Sequence, residues 1–256
     1  MAALDDAPLG LIGLLILLAL LSAVELGYRG HIGLRRLRGE QGPGKGSPDH
    51  LLSAVLGLLA LLLGFTFSLA LNRYETRREL VVQEANAIGT TWLRARLLEE
   101  PARTEMSRLL RVYADARIGW SDHEVRATDM ALTARLQQQL WAVAGSAIRA
   151  DSSPQLSRAV MDAMNESFDL AAARLAARSA HIPGRVLQVL LLYAALSMVM
   201  LGYILAANGR HHRIATSLLL MLLSLALTII HDIDRPRSGA IQVSQQPLLD
   251  LRQSMR

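Results

Sequence analysis

Residues 51–80, LLSAVLGLLALLLGFTFSLALNRYETRREL, decide how this chain folds. Leu51 to Asn72 carries no charge, and then Arg73, Glu75, Arg77, Arg78 and Glu79 follow at once. A helix rises about 1.5 Å per residue, so roughly 20 apolar residues cross a hydrocarbon slab about 30 Å thick. This block is long enough by itself. No proline interrupts it before Pro101, and Leu80, Glu84, Ala87, Thr91, Ala95 and Leu98 keep helical spacings of three and four. The pattern predicts one helix that spans the membrane over 50–72 and runs on out of the bilayer toward that proline.

Outward from this block lie three more uncharged runs, Ala7 to Val24, Val186 to Asn208 and Ile214 to Ile230. With their amphipathic neighbours they predict spans over 7–28, 184–208 and 214–231. The first run is not read as a cleaved leader, because no basic residue precedes it and Glu25-Leu26-Gly27-Tyr28 is no small-x-small site. Residues 29–49, crowded with glycine, proline and arginine, read as an exposed loop. Asn208 to Arg213 is so short that the third and fourth spans are expected to form a hairpin. Histidines 211 and 212 in that turn are expected to be solvated.

Residues 73–183 show no period-two stretch and read as helices throughout. Met106, Leu109, Leu110 and Tyr113 mark one apolar face, and Leu132, Leu136, Leu140, Val143 and Ala147 a second. Leu156, Val160, Met164, Ala171 and Leu175 mark a third, opened by Ser152-Ser153-Pro154 as cap and first turn. Residues 232–256 read as a C-terminal tail. The expected fold is therefore an all-α integral membrane protein, with four transmembrane helices and a helical extramembrane domain between spans two and three.

Composition narrows function mostly by exclusion. In 256 residues, 52% are hydrophobic and gathered in blocks, which excludes a disordered chain and an ordinary cytosolic enzyme. Without cysteine there are no disulfides, thiolate zinc sites or thiol nucleophiles. The net charge of +5 lies beside the apolar blocks, whereas residues 73–183 balance 15 arginines against 14 acids. That is the distribution of membrane flanks, so no nucleic-acid partner is expected. No phosphate-binding glycine loop, HExxH or GxSxG occurs, and neither an enzyme nor a cofactor is expected.

The most informative face is on the second span. Ser53, Gly57, Ala60, Gly64, Ser68 and Asn72 follow one slowly drifting stripe of small or polar residues, while the other faces are mostly leucine. In lipid such a stripe is either a helix-packing seam or the lining of a polar path. Phe65 and Phe67 stand beside it. Where the helix leaves the membrane, Arg73, Tyr74, Glu75, Arg77 and Arg78 read either as an interfacial anchor or as arginines concentrating anions at a vestibule. His231, Asp232 and Asp234 close the fourth span. They form a weak metal candidate, since neighbouring positions on a helix point in different directions, and the simpler reading is a turn leaving the membrane.

Two segments carry a family resemblance. One is Leu62-Leu63-Gly64-Phe65-Thr66-Phe67-Ser68-Leu69-Ala70-Leu71-Asn72-Arg73-Tyr74-Glu75-Thr76-Arg77-Arg78 with Glu84-Ala85-Asn86-Ala87-Ile88. The other is Asp232-Ile233-Asp234-Arg235-Pro236-Arg237-Ser238-Gly239-Ala240-Ile241-Gln242-Val243-Ser244 with Pro247-Leu248. Together they resemble the bacterial membrane family described as a bestrophin-like domain, and more distantly the bestrophins, pentameric anion channels whose second helix lines the pore. The resemblance implies an oligomeric channel for small ions, anions first, in the plasma (inner) membrane, with Phe65 and Phe67 as a dewetting constriction. The bestrophin calcium clasp of consecutive acids is absent, so calcium gating is not implied. The alternative is a non-conducting scaffold or sensor whose helical domain binds a partner protein. Expected partners are the lipid bilayer, further copies of the chain and small inorganic ions. For orientation the signals conflict. The positive-inside rule read from the first span puts the 73–183 domain outside, whereas Arg73, Arg77, Arg78, Arg174, Arg178 and the resemblance favour the cytoplasm.

Overall fold

The computed structural model describes residues 7–38, 49–120, 125–150, 153–209, 213–235 and 239–255. Among them the regular structure is helical: α1 (Leu9–Arg38), α2 (Asp49–Ala95), α3 (Ala102–Gly119), α4 (Ala127–Ala150), α5 (Pro154–Ser179), α6 (Gly184–Ala207), α7 (Arg213–Asp234) and α8 (Gln246–Ser254). Four stretches, in α1, α2, α6 and α7, are long and apolar enough to cross a membrane. The 47 residues of α2 make a rod about 70 Å long, more than twice the hydrocarbon thickness. It does not break where its charge begins.

The chain divides into two compact units, Met1–Asn72 with His181–Ile241, and Arg73–Ala180 with Gln242–Arg256. In the first, α1 packs against both α6 and α7. Leu20, Ala23, Leu59, Leu190, Ala194, Met198, Leu220, Leu223 and Leu227 form its core. α1 and α6 cross closely at two glycines: a Cβ on Gly27 would run into the Val199 carbonyl, and one on Gly202 into the Val24 carbonyl. Small residues let two backbones meet in a medium where apolar burial alone gives helices no reason to associate. A separate contact ties α1 to α7, where the Ser224 hydroxyl donates to the Gly13 carbonyl at 2.9 Å.

The second unit is a helical domain with its own core. Ile88, Met106, Leu109, Leu110, Tyr113, Leu140, Val160 and Met164 fill it. Ser153 caps α5 by accepting from the Leu156 N–H at 3.4 Å, with Pro154 in the first turn. Gly209, at φ 63°, follows the end of α6 in the left-handed conformation that glycine adopts without a Cβ penalty.

Three expectations need correction. Residues 29–38 are not loop but the last turns of α1, which carries an exposed Arg29–Glu25 pair at 2.5 Å where they begin. Leu132 is exposed, and Thr133 takes the buried position on α4 beside Leu136. The C-terminal segment is not a tail: α8 buries Leu248 in the helical domain's core, as does Met255 just after it. A helix of nine residues carries too weak a periodic signal to declare itself. The turn histidines 211 and 212, and residues 236–238, lie outside the described residues.

Candidate pore face and membrane-exit cluster

Within its unit α2 has two unlike sides. Leu59, Thr66 and Ala70 are buried, and Leu52, Val55, Leu56, Leu62 and Leu63 are half-buried between them at spacings of three and four. On the opposite side Ser53, Gly57, Ala60, Gly64, Ser68 and Asn72 are all exposed. A Cβ placed on Gly57 or Gly64 would meet nothing within 4 Å. The stripe is thus no seam between helices of one chain, because the leucines make that contact. Phe65, 66% exposed, and Phe67, 41% exposed, flank the stripe on either side at 100° per residue. Serine hydroxyls in a membrane helix usually bond back to their own backbone. Ser53 does so, to the Asp49 carbonyl at 3.1 Å. Ser68 makes no hydrogen bond among the described residues.

The exit cluster divides in the second unit. Arg77 is turned inward and buried, donating to the Ala177 carbonyl at 3.2 Å and the Ala180 carbonyl at 2.9 Å. It therefore neutralises the carbonyl-rich end of α5, where a cation is stabilised by the helix dipole. Glu75 and Arg78 stay exposed and pair at 3.4 Å, a contact that water screens to little value. Arg73 and Tyr74 are half-buried. A vestibule ring of arginines would accordingly lack Arg77.

At the end of α7 the carboxylates hold backbone. Asp232 is buried and accepts from the Ala240 N–H at 2.8 Å and the Ile241 N–H at 3.3 Å. Gly239 is required there, since a Cβ would strike the Asp232 carboxylate. Asp234 accepts from the Ile182 N–H at 2.9 and 3.1 Å, and His181 Nδ1 lies 3.9 Å from its Oδ2. Among the described residues no three His, Cys, Asp or Glu side chains are grouped to hold a metal ion, and His231 does not converge with its neighbours on one point. The two carboxylates thus act as acceptors for backbone amides, and the signal for Asp232 was the glycine seven residues beyond it.

Sequence reading missed a buried charge cluster in the helical domain. Glu84 on α2 is fully buried and accepts from Arg117 on α3 and from Arg174 on α5, the latter at 2.5 Å. Arg174 also donates to the Gln245 side chain, tying the segment before α8 to the same centre. Desolvation lowers the Arg174 pKa from its ordinary value, opposed by Glu84. Beside it, burial pushes the Tyr113 phenol up to about 12, opposed by Arg117. One hint was legible: Glu84 stands on the apolar stripe of α2, where an unpaired carboxylate would not survive.

Helices alone, four of them spans, and a helical domain inserted after the second define a multi-span membrane protein of one architecture. Residues 49–248 match the Bestrophin-like domain, and the chain belongs to that family. Its fold is similar to a crystal structure of a single-site variant of a bacterial bestrophin homolog from Klebsiella pneumoniae. That match has a TM-score of 0.73 at 15% identity over 94% of this chain and 97% of that one. A second bestrophin homolog structure from Klebsiella pneumoniae, phased with zinc, gives 0.71 at 14% identity over the same shares. A variant described as a membrane protein gives 0.74 at 14%, again over 94% and 97%. No curated protein matches the chain.

Proposed function

We propose that the chain assembles as a homo-oligomer in the bacterial plasma (inner) membrane and conducts small inorganic ions along a path lined by the Ser53-to-Asn72 face of α2. The observation that carries this is the outward face itself: small and polar from end to end, open around Gly57 and Gly64, with the Ser68 hydroxyl unpartnered. Hydrocarbon is a poor neighbour for such a surface, and an ion cannot shed its water into leucine without a prohibitive cost. Family membership supports the channel reading, and the resemblance to bestrophin anion channels favours a small anion. Phe65 and Phe67 border the path and supply its apolar constriction. The 73–183 domain is proposed to be cytoplasmic.

Because the chain has no native cysteine, single cysteines can be introduced without background. In planar bilayers, cysteines at Gly57, Gly64 and Ser68 should react with a water-soluble thiol reagent and change the current, while Leu59, buried within the chain, should not. Equal reactivity at Leu59, or no ion-selective conductance from the purified oligomer, would remove the channel reading. The second result would leave a scaffold, which the exposed Leu93, Leu97 and Trp141 of the helical domain favour as a surface for a partner protein.

A further inference from the structure

We propose that the helical domain holds a small inorganic anion of the halide class between α3 and α4, bound by Arg117, Trp120 and Thr133, as a fixed ion distinct from any that the membrane unit passes. Three observations converge on this place.

The first is charge. Glu84 has one carboxylate and two guanidinium partners, Arg117 and Arg174, and all three side chains are buried. Among the described residues neither arginine pairs with any other acid. Among the described residues the centre therefore carries one positive charge in excess. Unpaired charge in a protein interior is costly, and the usual remedies are a partner or a bound counter-ion.

The second is an orphaned donor. Arg117 is 0% exposed; its Nε goes to Glu84 and its Nη2 to the Ala171 carbonyl at 3.4 Å, but Nη1 is buried with no partner among the described residues. Arginine is an always-charged donor with no way to neutralise itself.

The third is that two more donors lie unpartnered beside it. The Arg117 guanidinium carbon sits 3.4 Å from the centre of the Trp120 ring, so the two groups form one stacked unit, and the buried Trp120 Nε1 has no partner. On α4, Gln137 donates to the Tyr113 hydroxyl at 3.2 Å, which fixes the register of α3 against α4. One turn further on both helices, toward their connection, brings Thr133 level with Arg117. The Thr133 hydroxyl is buried and also has no partner. Buried polar groups in folded proteins are nearly always satisfied, so three unsatisfied donors around one excess charge call for an acceptor that is not among the described residues. Water would accept from the donors but leave the charge; a halide answers both.

The probe is bromide, used with the full chain in detergent exchanged into gluconate. Crystals grown in bromide should show an anomalous peak within hydrogen-bond reach of Arg117 Nη1. Bromide should also raise the melting temperature, and its half-effect concentration should rise about tenfold in Trp120→Phe, which keeps the stacked ring but loses the N–H, and in Thr133→Val. No peak at Arg117, or bromide stabilisation of the same strength in a variant that folds, overturns the proposal. If both variants fail to fold, the crystal arm still decides. Conductance is not read in any arm, so the result is independent of the channel reading.

Discussion

The glycine crossing of α1 and α6 gives a sharp test of which glycines hold the chain together and which face away from it. Replacing Gly202 with alanine adds one methyl whose nearest atoms are backbone: the Val24 carbonyl oxygen, its carbon at 2.8 Å and the Tyr28 nitrogen at 3.0 Å. None of these can rotate aside, because all belong to the regular part of α1. The two helices must part, loosening Leu20, Ala23 and Met198 in the same core. Overpacking of this kind costs typically about 1–3 kcal/mol, and backbone collision puts Gly202→Ala at the upper end, more than a hundredfold in the folding equilibrium. Gly27→Ala strikes Val199 and Tyr203 in the mirror-image way, and the double variant should cost less than the two singles added, since helices already parted accept the second methyl more easily. Gly57→Ala and Gly64→Ala meet no atom within 4 Å and should leave the stability of the isolated chain unchanged or raise it by up to about 1 kcal/mol. Thermal melting of each purified variant, under detergent conditions that dissociate any oligomer, measures all five. Gly202→Ala melting with the unaltered chain would refute the crossing.

Two further outcomes are expected in the helical domain. Glu84→Gln leaves the buried Arg117 and Arg174 facing a neutral group, and should cost about 3–5 kcal/mol in denaturant titration of the domain. The Tyr113 phenol, pushed up to about 12 from 10.0 chiefly by burial, keeps its proton in the folded state after the unfolded chain has lost it. Its contribution is whole below pH 10 and falls by about 1.4 kcal/mol per unit until about pH 12, so Tyr113→Phe should flatten the alkaline loss measured between pH 9 and 11.

How much of this was legible depends on the range of each interaction. Spans are local facts: uninterrupted apolar length announced α2, α6 and α7, and the absence of proline before Pro101 announced the continuation of α2 to Ala95. The buried face of α3 was equally plain, with Met106, Leu109, Leu110 and Tyr113 all in the core. The stripe on α2 was readable as a face, but which way it pointed was not. That depended on Leu59, Thr66 and Ala70 becoming the buried side, with Leu59 in the core shared with α1, α6 and α7, and on the glycine crossing lying elsewhere, at Gly27 and Gly202. Residues that act across the fold gave least. Arg77 looked like surface charge and turned out to cap α5, about a hundred residues away in sequence. Arg117 and Arg174 sat on helix faces with ordinary arginine spacing, and only Glu84, out of place on an apolar stripe, betrayed their meeting point. Composition says that a charge is present; only tertiary pairing says whether it is buried.

The outward stripe has a consequence for assembly that precedes any question of conduction. A single copy in a bilayer would present the Ser68 hydroxyl, which makes no hydrogen bond among the described residues, to whatever surrounds α2. In hydrocarbon, a hydroxyl without a hydrogen bond is penalised by several kcal/mol on alkane scales. The chain had a simple way to avoid this, since a serine can bond to the carbonyl four residues earlier, as Thr66 does to Leu62 at 2.7 Å. Ser68 does not use it, and the glycine one turn earlier leaves open space where a leucine would have met lipid. On the proposed reading, a neighbouring copy or water covers this face. A tight interface would bring small side chains together and satisfy the hydroxyl across the contact, whereas a lumen would hydrate it, and both arrangements need more than one chain. The stripe thus fits the proposed oligomer, in which the ion path is a question about how closely the copies approach. Enlarging Gly64 to leucine separates the two: in a tight interface it breaks the oligomer, while in a lumen it leaves the oligomer intact and narrows the current.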